Sequence, residues 1–428
     1  MYLDWKGDWK LWPLNGVAST PLLRSDGSIH SARGYDISSG FWLENVPDLS
    51  GLLPQQPSRA DAERALRRLR AVFASFSFAD APTMTVPHIE QPMVDIEAPP
   101  GADETGFLVA LLTAVCRPSL GLAPGVLISA ASVSGSGAGK GLLARAIGMV
   151  AFGCEPRAVT GGGTAQELEK RIGAELIAGG PMLFLDNLND RALRSDLLAS
   201  AITERPARVR VLGRSQMVAL NATAFVVLTG NGLSVSEDLA RRFIRIELDP
   251  RTEHPEARRF DVDIRAESRR RRPELLAAAL TIWRWGRLEQ GLEPGRPLGS
   301  FEQWCRWVRD PLLALGCRDP AVRTGEAKLR DAGRQAIVEL FKLWWCHHGD
   351  RPVTVHKLHN DVKGAIDPQG RSRQYLARRV ESLTGTRIAG FHLTRQAAAG
   401  HWGSATYVLA ADCTERSNRD HWGHGNAI

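Results

Sequence analysis

A glycine-rich segment at residues 132–147, SVSGSGAGKGLLARAI, carries the residue types that bind phosphate groups. Its glycines allow backbone N–H groups to converge on phosphate oxygens, and Lys140 would place a positive charge on the outer phosphates. Phosphate-binding loops follow the pattern GxxxxGK and then Ser or Thr, but here Ser134 replaces the first glycine and Gly141 the hydroxyl. That hydroxyl ligates magnesium, so the segment predicts phosphate binding better than metal binding. The residues expected to contact the nucleotide are Gly135, Ser136, Gly137, Ala138, Gly139, Lys140, Gly141 and Leu142.

Polar residues further along the chain could complete a nucleotide site. Asp186 ends the apolar run PMLFLD, 46 residues after Lys140, and would hold magnesium directly or through water. Asn231 follows the run FVVLTG, where its side chain could orient an attacking water molecule. Arg241 and Arg242 come ten residues later, and an arginine there can stabilise charge on a γ-phosphoryl group, commonly from a neighbouring subunit. The alternative is a turn between strand and helix that binds no ligand.

The apolar runs before these residues predict the strands that position them. Strand-like and helix-like segments alternate from residue 127 to residue 248, which favours an α/β fold with a parallel sheet covered on both faces. The carboxyl ends of such strands lie together at the sheet edge where ligands bind. The expected strands are 126–128, 181–186 and 224–229, and the expected helix after the loop is 142–150.

Length and composition indicate a globular protein of two or three domains, because 428 residues exceed one typical domain. No run approaches 18 consecutive apolar residues, so we expect no membrane partner and a cytoplasmic location. The six cysteines form no CxxC pair, which argues against a structural zinc site. The expected segments are a mixed β/α region with a linker at 1–100, the α/β core at 101–250, a helical lid at 251–325, a winged-helix-like domain at 326–412 and a polar tail at 413–428.

The C-terminal part concentrates positive charge. Residues 326–410 hold 13 Lys and Arg against 7 Asp and Glu, which indicates an anionic partner. Three helical segments followed by two strand-like runs predict a winged helix, whose third helix usually enters the major groove of DNA. The helices are expected near 337–345, 355–366 and 374–383, the strands at 387–393 and 405–409, and the wing at 397–404. The candidate DNA-binding residues are Arg371, Arg373, Arg378 and Arg379. The alternative is a solvated basic face on a subunit-interaction domain.

These motifs resemble the ATPase module of the AAA+ superfamily, and more closely the helicase part of phage and mobile-element primase-helicase proteins. The similar blocks are SGAGKGLLARAI, MLFLDNLN, LGRS at 212–215, LTGNGLSVSEDLARRF, PLGSFEQWCRWVRDP at 297–311 and, before them, LRSDGSIHSARGYDISSGFW at 23–42. The resemblance implies an AAA+-like P-loop core, ATP and Mg²⁺ as cofactors, Asp186 as a magnesium ligand, and DNA as the partner of a hexameric ring. Asn187 stands where many AAA+ proteins carry a glutamate base, and an amide cannot take a proton from water.

Three functions follow from these residues. The first is an ATP-dependent DNA helicase or translocase in the replication of a phage, plasmid or integrated mobile element, with a separately encoded primase as a further partner. The second is an ATP-binding initiator or regulator on DNA that hydrolyses ATP weakly or not at all and uses it as an assembly switch. The third is a small-molecule kinase, which the string GAGKG favours but Leu142, in place of threonine, does not.

Overall fold

A computed structural model describes residues 12–87, 91–131, 135–189, 192–213, 216–260, 262–323, 332–396 and 405–411 of the chain. The chain divides into two compact units, Met1–Ala327 and Lys328–Ile428. Several residues discussed above lie outside the described ranges. They are Ser134, the tip of the LGRS block at 214–215, the expected wing at 397–404 and the polar tail at 413–428.

The first unit is an α/β structure. Its strands are β1 Gly16–Ala18, β2 Leu22–Leu23, β3 Ile29–His30, β4 Gly34–Asp36, β5 Phe41–Leu43, β6 Thr83–Met84, β7 Met93–Val94, β8 Gly125–Ala130, β9 Ala158–Thr160, β10 Met182–Asp186, β11 Ala192–Leu193, β12 Ala207–Arg210, β13 Met217–Leu220, β14 Phe225–Asn231, β15 Ser234–Val235 and β16 Phe243–Glu247. Its helices are α1 Arg59–Phe73, α2 Ala102–Cys116, α3 Lys140–Phe152, α4 Ala165–Ala178, α5 Asp196–Thr203, α6 Glu237–Ala240, α7 Ile264–Arg270, α8 Arg272–Leu288, α9 Glu302–Trp304 and α10 Asp310–Ala314.

A five-stranded sheet, in which every strand is parallel to its neighbours, forms the centre of this unit, in the order β16-β8-β14-β10-β9. Strands β8 and β10 are buried along their whole length, as continuous apolar runs in a covered parallel sheet should be. The predicted α/β core with a parallel sheet is therefore present, consistent with a P-loop-like core. Strand β14 lies between β8 and β10, so the segments that follow these three strands meet at one edge of the sheet.

The helices pack on the sheet in one continuous hydrophobic core. Helix α2 is buried at every residue, and α3 packs against α2, α7 and α8. The core includes Phe73 of α1, Ile147 of α3 and Trp283 of α8. Helix α1 of the N-terminal region and helix α8 of the expected lid pack against each other, and α8 packs on α2 and α3, so both helices share the core of the sheet.

An antiparallel hairpin, β12–β13, lies between β10 and β14 in the sequence, and the sequence analysis did not predict it. Its strand ARVR alternates strictly: Ala207 and Val209 are buried, whereas Arg208 and Arg210 are exposed. The period of two is that of a strand with one buried face.

The second unit has its own core and an antiparallel sheet in the order β17-β20-β19-β18. Its core is centred on Phe341, Trp344, Val362, Val380 and Leu393. Its elements are α11 Ala332–His348, β17 Val353–Thr354, α12 Asn360–Ile366, α13 Arg373–Leu383, β18 Arg387–Ile388, β19 Phe391–Gln396 and β20 Thr406–Ala411.

Three helices and a hairpin follow in the expected order, with two corrections to their bounds. The helix expected at 355–366 begins only at Asn360, because the His359 side chain accepts the Asp361 N–H and caps the helix there. The strand expected at 387–393 is two strands, because Ala389 and Gly390 both have left-handed backbones (φ 49° and 74°) and form a tight turn. In the described parts of both units, no helix is long and apolar enough to span a membrane.

Candidate functional site

The glycine-rich loop joins β8 to α3, and its backbone explains the glycines. Gly137 and Gly139 adopt left-handed conformations, with φ of 75° and 93°. A β-carbon at Gly135 would lie 2.2 Å from the carbonyl oxygen of Ala131. Helix α3 begins at Lys140, two residues before the predicted start, and its N-cap Gly139 has no side chain to accept the first N–H groups. The loop thus presents an uncapped helix N-terminus, which favours an anion.

Lys140 lies at the start of α3 with only 9% of its surface exposed. Its ammonium group donates a hydrogen bond to the carbonyl oxygen of Gly135, at 2.6 Å. Burial lowers the pKa of Lys140, and the nearby carboxylate of Asp186 acts in the opposite direction. The charged group is therefore held inside the loop, where a phosphate would lie.

Asp186 ends β10, as predicted, and both of its oxygens have donors. Oδ1 accepts the hydroxyl of Thr229 and, at 3.1 Å, the backbone N–H of Asn187. Oδ2 lies 3.3 Å from a guanidinium nitrogen of Arg145. The sequence analysis missed Thr229 and Arg145, although Arg145 lies one helical turn after Gly141, where the two positions share a face of α3.

The arrangement around Asp186 does not fit a magnesium ion. Position 141 offers no hydroxyl, and the carboxylate is already paired with the Arg145 guanidinium, whose five donors cannot ligate a cation.

Asn187 follows Asp186 in a left-handed conformation, with φ of 59°, and its side chain is exposed. Asparagine tolerates this backbone conformation far better than glutamate does. The conformation therefore supplies a physical reason for asparagine at this position.

Asn231 ends β14 beside the loop, where the sequence placed it. Its backbone N–H donates to the side-chain oxygen of Asn189, at 2.8 Å. Its own Oδ1 is buried and has no hydrogen-bond partner within the described part of the chain. A β-carbon at Gly135 would lie 2.8 Å from that oxygen. A buried polar atom without a partner marks a position for a ligand or water.

Arg241 and Arg242 lie at the opposite edge of the sheet. They precede β16, whose first residue, Phe243, pairs with Gly125 at the start of β8. The loop follows the other end of β8, so roughly 20 Å of strand separates it from these arginines. Both guanidinium groups pair with Asp238, and the Arg241 side chain is 60% exposed. One chain does not bring them to the site, and their role across subunits stays a prediction.

A cavity of about 350 Å³ adjoins the loop, a size within the range of small-molecule sites. Arg258 closes one side: its guanidinium donates to the Gly137 carbonyl at 3.2 Å and to the Ser77 hydroxyl at 2.7 Å, and it lies 5.2 Å from the centre of the Phe260 ring. The sequence analysis missed this cavity because its walls come from distant segments. They include Ser75, Phe76, Gly137, Ala138, Gly139, Leu142, Arg258, Phe260, Val262 and Ile264.

The four candidate DNA-binding arginines lie on or before α13, and all are exposed. Arg371 precedes the helix, and its guanidinium lies 4.6 Å from the centre of the Tyr375 ring. Arg378 faces away from the buried stripe of α13, while Arg373 and Arg379 flank that stripe. The stripe consists of Leu376, Val380 and Leu383. The helix therefore presents cations over much of its outer surface.

A histidine cluster in the second unit was not predicted. The rings of His347 and His359 stack with centroids 3.7 Å apart and planes 9° from parallel. One nitrogen of each ring lies 3.2 Å from the same oxygen of Asp361. Because the lone pairs of parallel rings lie in separate planes, these rings as arranged do not point at one shared metal ion.

The comparisons with known proteins give a likeness among solved structures. No model of a known protein family matches the chain, and no curated protein matches it. Among solved structures, the chain is similar to the A form apo structure of the NrS-1 C-terminal region, CTR(305–718), with a TM-score of 0.37 and 13% sequence identity. The likeness covers 86% of this chain and 79% of that chain.

Proposed function

We propose that this chain binds ATP at the glycine-rich loop and is an ATP-dependent helicase or translocase acting on DNA in the replication of a phage, plasmid or integrated mobile element. One observation carries the proposal. The uncapped N-terminus of α3, the buried Lys140 and the unpaired oxygen of Asn231 meet at one edge of a parallel sheet. The helix N-terminus has no side-chain cap, and the Asn231 oxygen has no partner among the described residues; a nucleotide and its attacking water would supply these partners.

The residues around this edge have distinct roles in the proposal. The N–H groups of α3 and the ammonium of Lys140 hold the outer phosphates. The cavity takes the base, since the Phe76 and Phe260 rings line it beside Gly139. The Oδ1 atom of Asn231 accepts a hydrogen bond from the attacking water and orients it.

The DNA partner rests on the second unit. Exposed arginine side chains can bind phosphates without any change in the protein core. Four exposed arginines lie on or next to one helix, α13. A ring of identical subunits, proposed as a hexamer, would carry the exposed Arg241 of one subunit towards the loop of the next.

A second candidate function is an assembly switch that binds ATP on DNA without efficient hydrolysis. The observation that favours it concerns the two residues expected to support hydrolysis, Asn187 and Asp186. Asn187 offers no base, and Asp186 is paired with Arg145 instead of being open to a metal. Binding suffices for this function, so it needs only the loop and the cavity.

ATP turnover with and without single-stranded DNA distinguishes the two functions. For the helicase or translocase we expect turnover that DNA stimulates, and that Lys140→Ala abolishes because the outer phosphates lose their cation. The matched control is Lys170→Ala, since Lys170 is an exposed lysine of α4 that pairs with Glu167. Nucleotide binding without turnover under any DNA condition would contradict the first function and support the second.

A further inference from the structure

The start of α3 departs from the phosphate-loop pattern at Gly141, and a nearby arginine on the same helix accompanies this departure. Gly141 lacks the hydroxyl, and Arg145 lies four residues later on the same face of the helix. A β-carbon at position 141 would lie 2.7 Å from a guanidinium nitrogen of Arg145 and 3.4 Å from an oxygen of Asp186. The guanidinium therefore fills the space that a serine or threonine side chain would need.

The position of this guanidinium is fixed on several sides. It lies 3.3 Å from Asp186 Oδ2 and stacks over the ring of Phe184, with 5.1 Å to the ring centre. The side chains of Arg145 and Asp186 are only 28% and 12% exposed, so the pair is shielded from solvent. The other carboxylate oxygen is engaged by Thr229 and by the Asn187 N–H. A magnesium ion at Oδ2 of Asp186 would compete with Arg145 for this oxygen.

A guanidinium can do part of what a metal ion does for phosphates. It carries a permanent positive charge, and its planar fork of donors matches phosphate oxygens. Arg145 projects from the first turns of the helix whose N-terminus carries Lys140 and the loop N–H groups. The two cations and Asp186 together place one net positive charge beside the loop.

We propose that the guanidinium of Arg145 takes the place of the magnesium ion at this site, so that the chain binds nucleotide phosphates without a divalent cation. The inference rests on the proposed nucleotide site and concerns how the charge of the phosphates is neutralised there. Gly141 then has a specific role, because it leaves room for the arginine.

The test is the affinity of the full-length chain for a fluorescent ATP analogue, measured in excess Mg²⁺ and in excess EDTA. For the natural chain we expect the two dissociation constants to agree within about threefold. Arg145→Ala should weaken binding in EDTA by about tenfold or more, the loss expected for one charge-assisted hydrogen-bonding partner, while Mg²⁺ restores part of it. Arg145→Lys keeps the charge and should lose less.

Asp186→Asn keeps the proposal testable if Arg145→Ala is poorly folded, and a double variant adds a second comparison if it is not. Asp186→Asn preserves the shape of the carboxylate and releases the guanidinium, so binding in EDTA should be retained or tightened. The double variant Gly141→Ser with Arg145→Ala supplies the missing hydroxyl and an open Asp186, and should bind the analogue more tightly with Mg²⁺ than with EDTA. The control is Arg64→Ala, which removes an exposed arginine paired with Asp61 on α1.

The outcomes separate this inference from the proposed function. Binding by the natural chain that falls more than about tenfold in EDTA overturns the inference and leaves the nucleotide site intact. Equal losses in Arg145→Ala and Arg64→Ala also overturn it. Absence of binding in both buffers overturns the proposed function and the inference with it.

Discussion

The polar residues at the edge where the parallel strands end, the carboxyl edge, differ in burial and pairing from those at the edge where the strands begin, the amino edge. At the carboxyl edge Lys140 and Asp186 are buried, and one oxygen of Asn231 has no partner among the described residues. At the amino edge Arg241 and Arg242 share the carboxylate of Asp238, and Arg241 is mostly exposed. Buried polar groups are costly without partners, whereas an exposed ion pair contributes little to stability. The carboxyl edge therefore holds buried polar groups in fixed positions, whereas the exposed Arg241 at the amino edge can exchange partners freely.

The largest expected effect concerns the amino edge. If Arg241 acts on the nucleotide of a neighbouring subunit, Arg241→Ala should lower ATP turnover by about a thousandfold or more while ATP binding is retained. Mixing Arg241→Ala with Lys140→Ala chains should restore part of the turnover, because the loop of one variant then meets the arginine of the other.

A matched control for that experiment is Arg33→Ala. Arg33 is an exposed arginine that pairs with Glu44, and both residues are distant in sequence from the residues of the two edges. Its turnover should equal that of the natural chain. No recovery in the mixture would show that Arg241 does not act across subunits.

A smaller effect concerns a buried carboxyl group near the carboxyl edge. Asp103 of α2 accepts the backbone N–H of Glu247, the last residue of β16, and pairs with Arg323. Burial raises the pKa of Asp103 to about 6, although Arg323 and the Glu247 N–H act against the rise. Because the folded-state pKa lies above the unfolded value, the stability that this group contributes is full below about pH 4 and is lost as the pH rises through about 6.

Asparagine at position 103 imitates the protonated group at every pH. The free energy of unfolding of Asp103→Asn, relative to the natural chain, should therefore rise by about 2 kcal/mol between pH 4 and pH 7. Urea denaturation at several pH values measures this difference. Two parallel pH profiles would contradict the expected titration.

The strands and the polar residues that end them could be predicted from the sequence for a simple reason. Continuous apolar runs mark strands buried on both faces, and in a parallel sheet the residues that follow them share one edge. Asp186 and Asn231 lie at that edge as expected. The order of the strands, with β14 between β8 and β10, came only from the structure.

Other parts of the site depend on contacts that sequence spacing does not reveal. Arg145 lies within an ordinary helical pattern, and only the missing β-carbon at Gly141 shows why its guanidinium reaches Asp186. Phe76 and Phe260 are far apart in sequence and meet only around the cavity. The sequence indicated that Asn187 replaces a glutamate base. The structure shows a left-handed backbone at this position, which asparagine adopts more readily than glutamate does.

The central claim is that the carboxyl edge binds ATP, and the most direct measurement is photolabelling by an azido-adenine analogue of ATP followed by peptide mapping. The account predicts label on the peptides that contain Phe76 or Phe260, competed by unlabelled ATP and lost in Lys140→Ala. Label confined to another surface, or label that ATP does not displace, would contradict it.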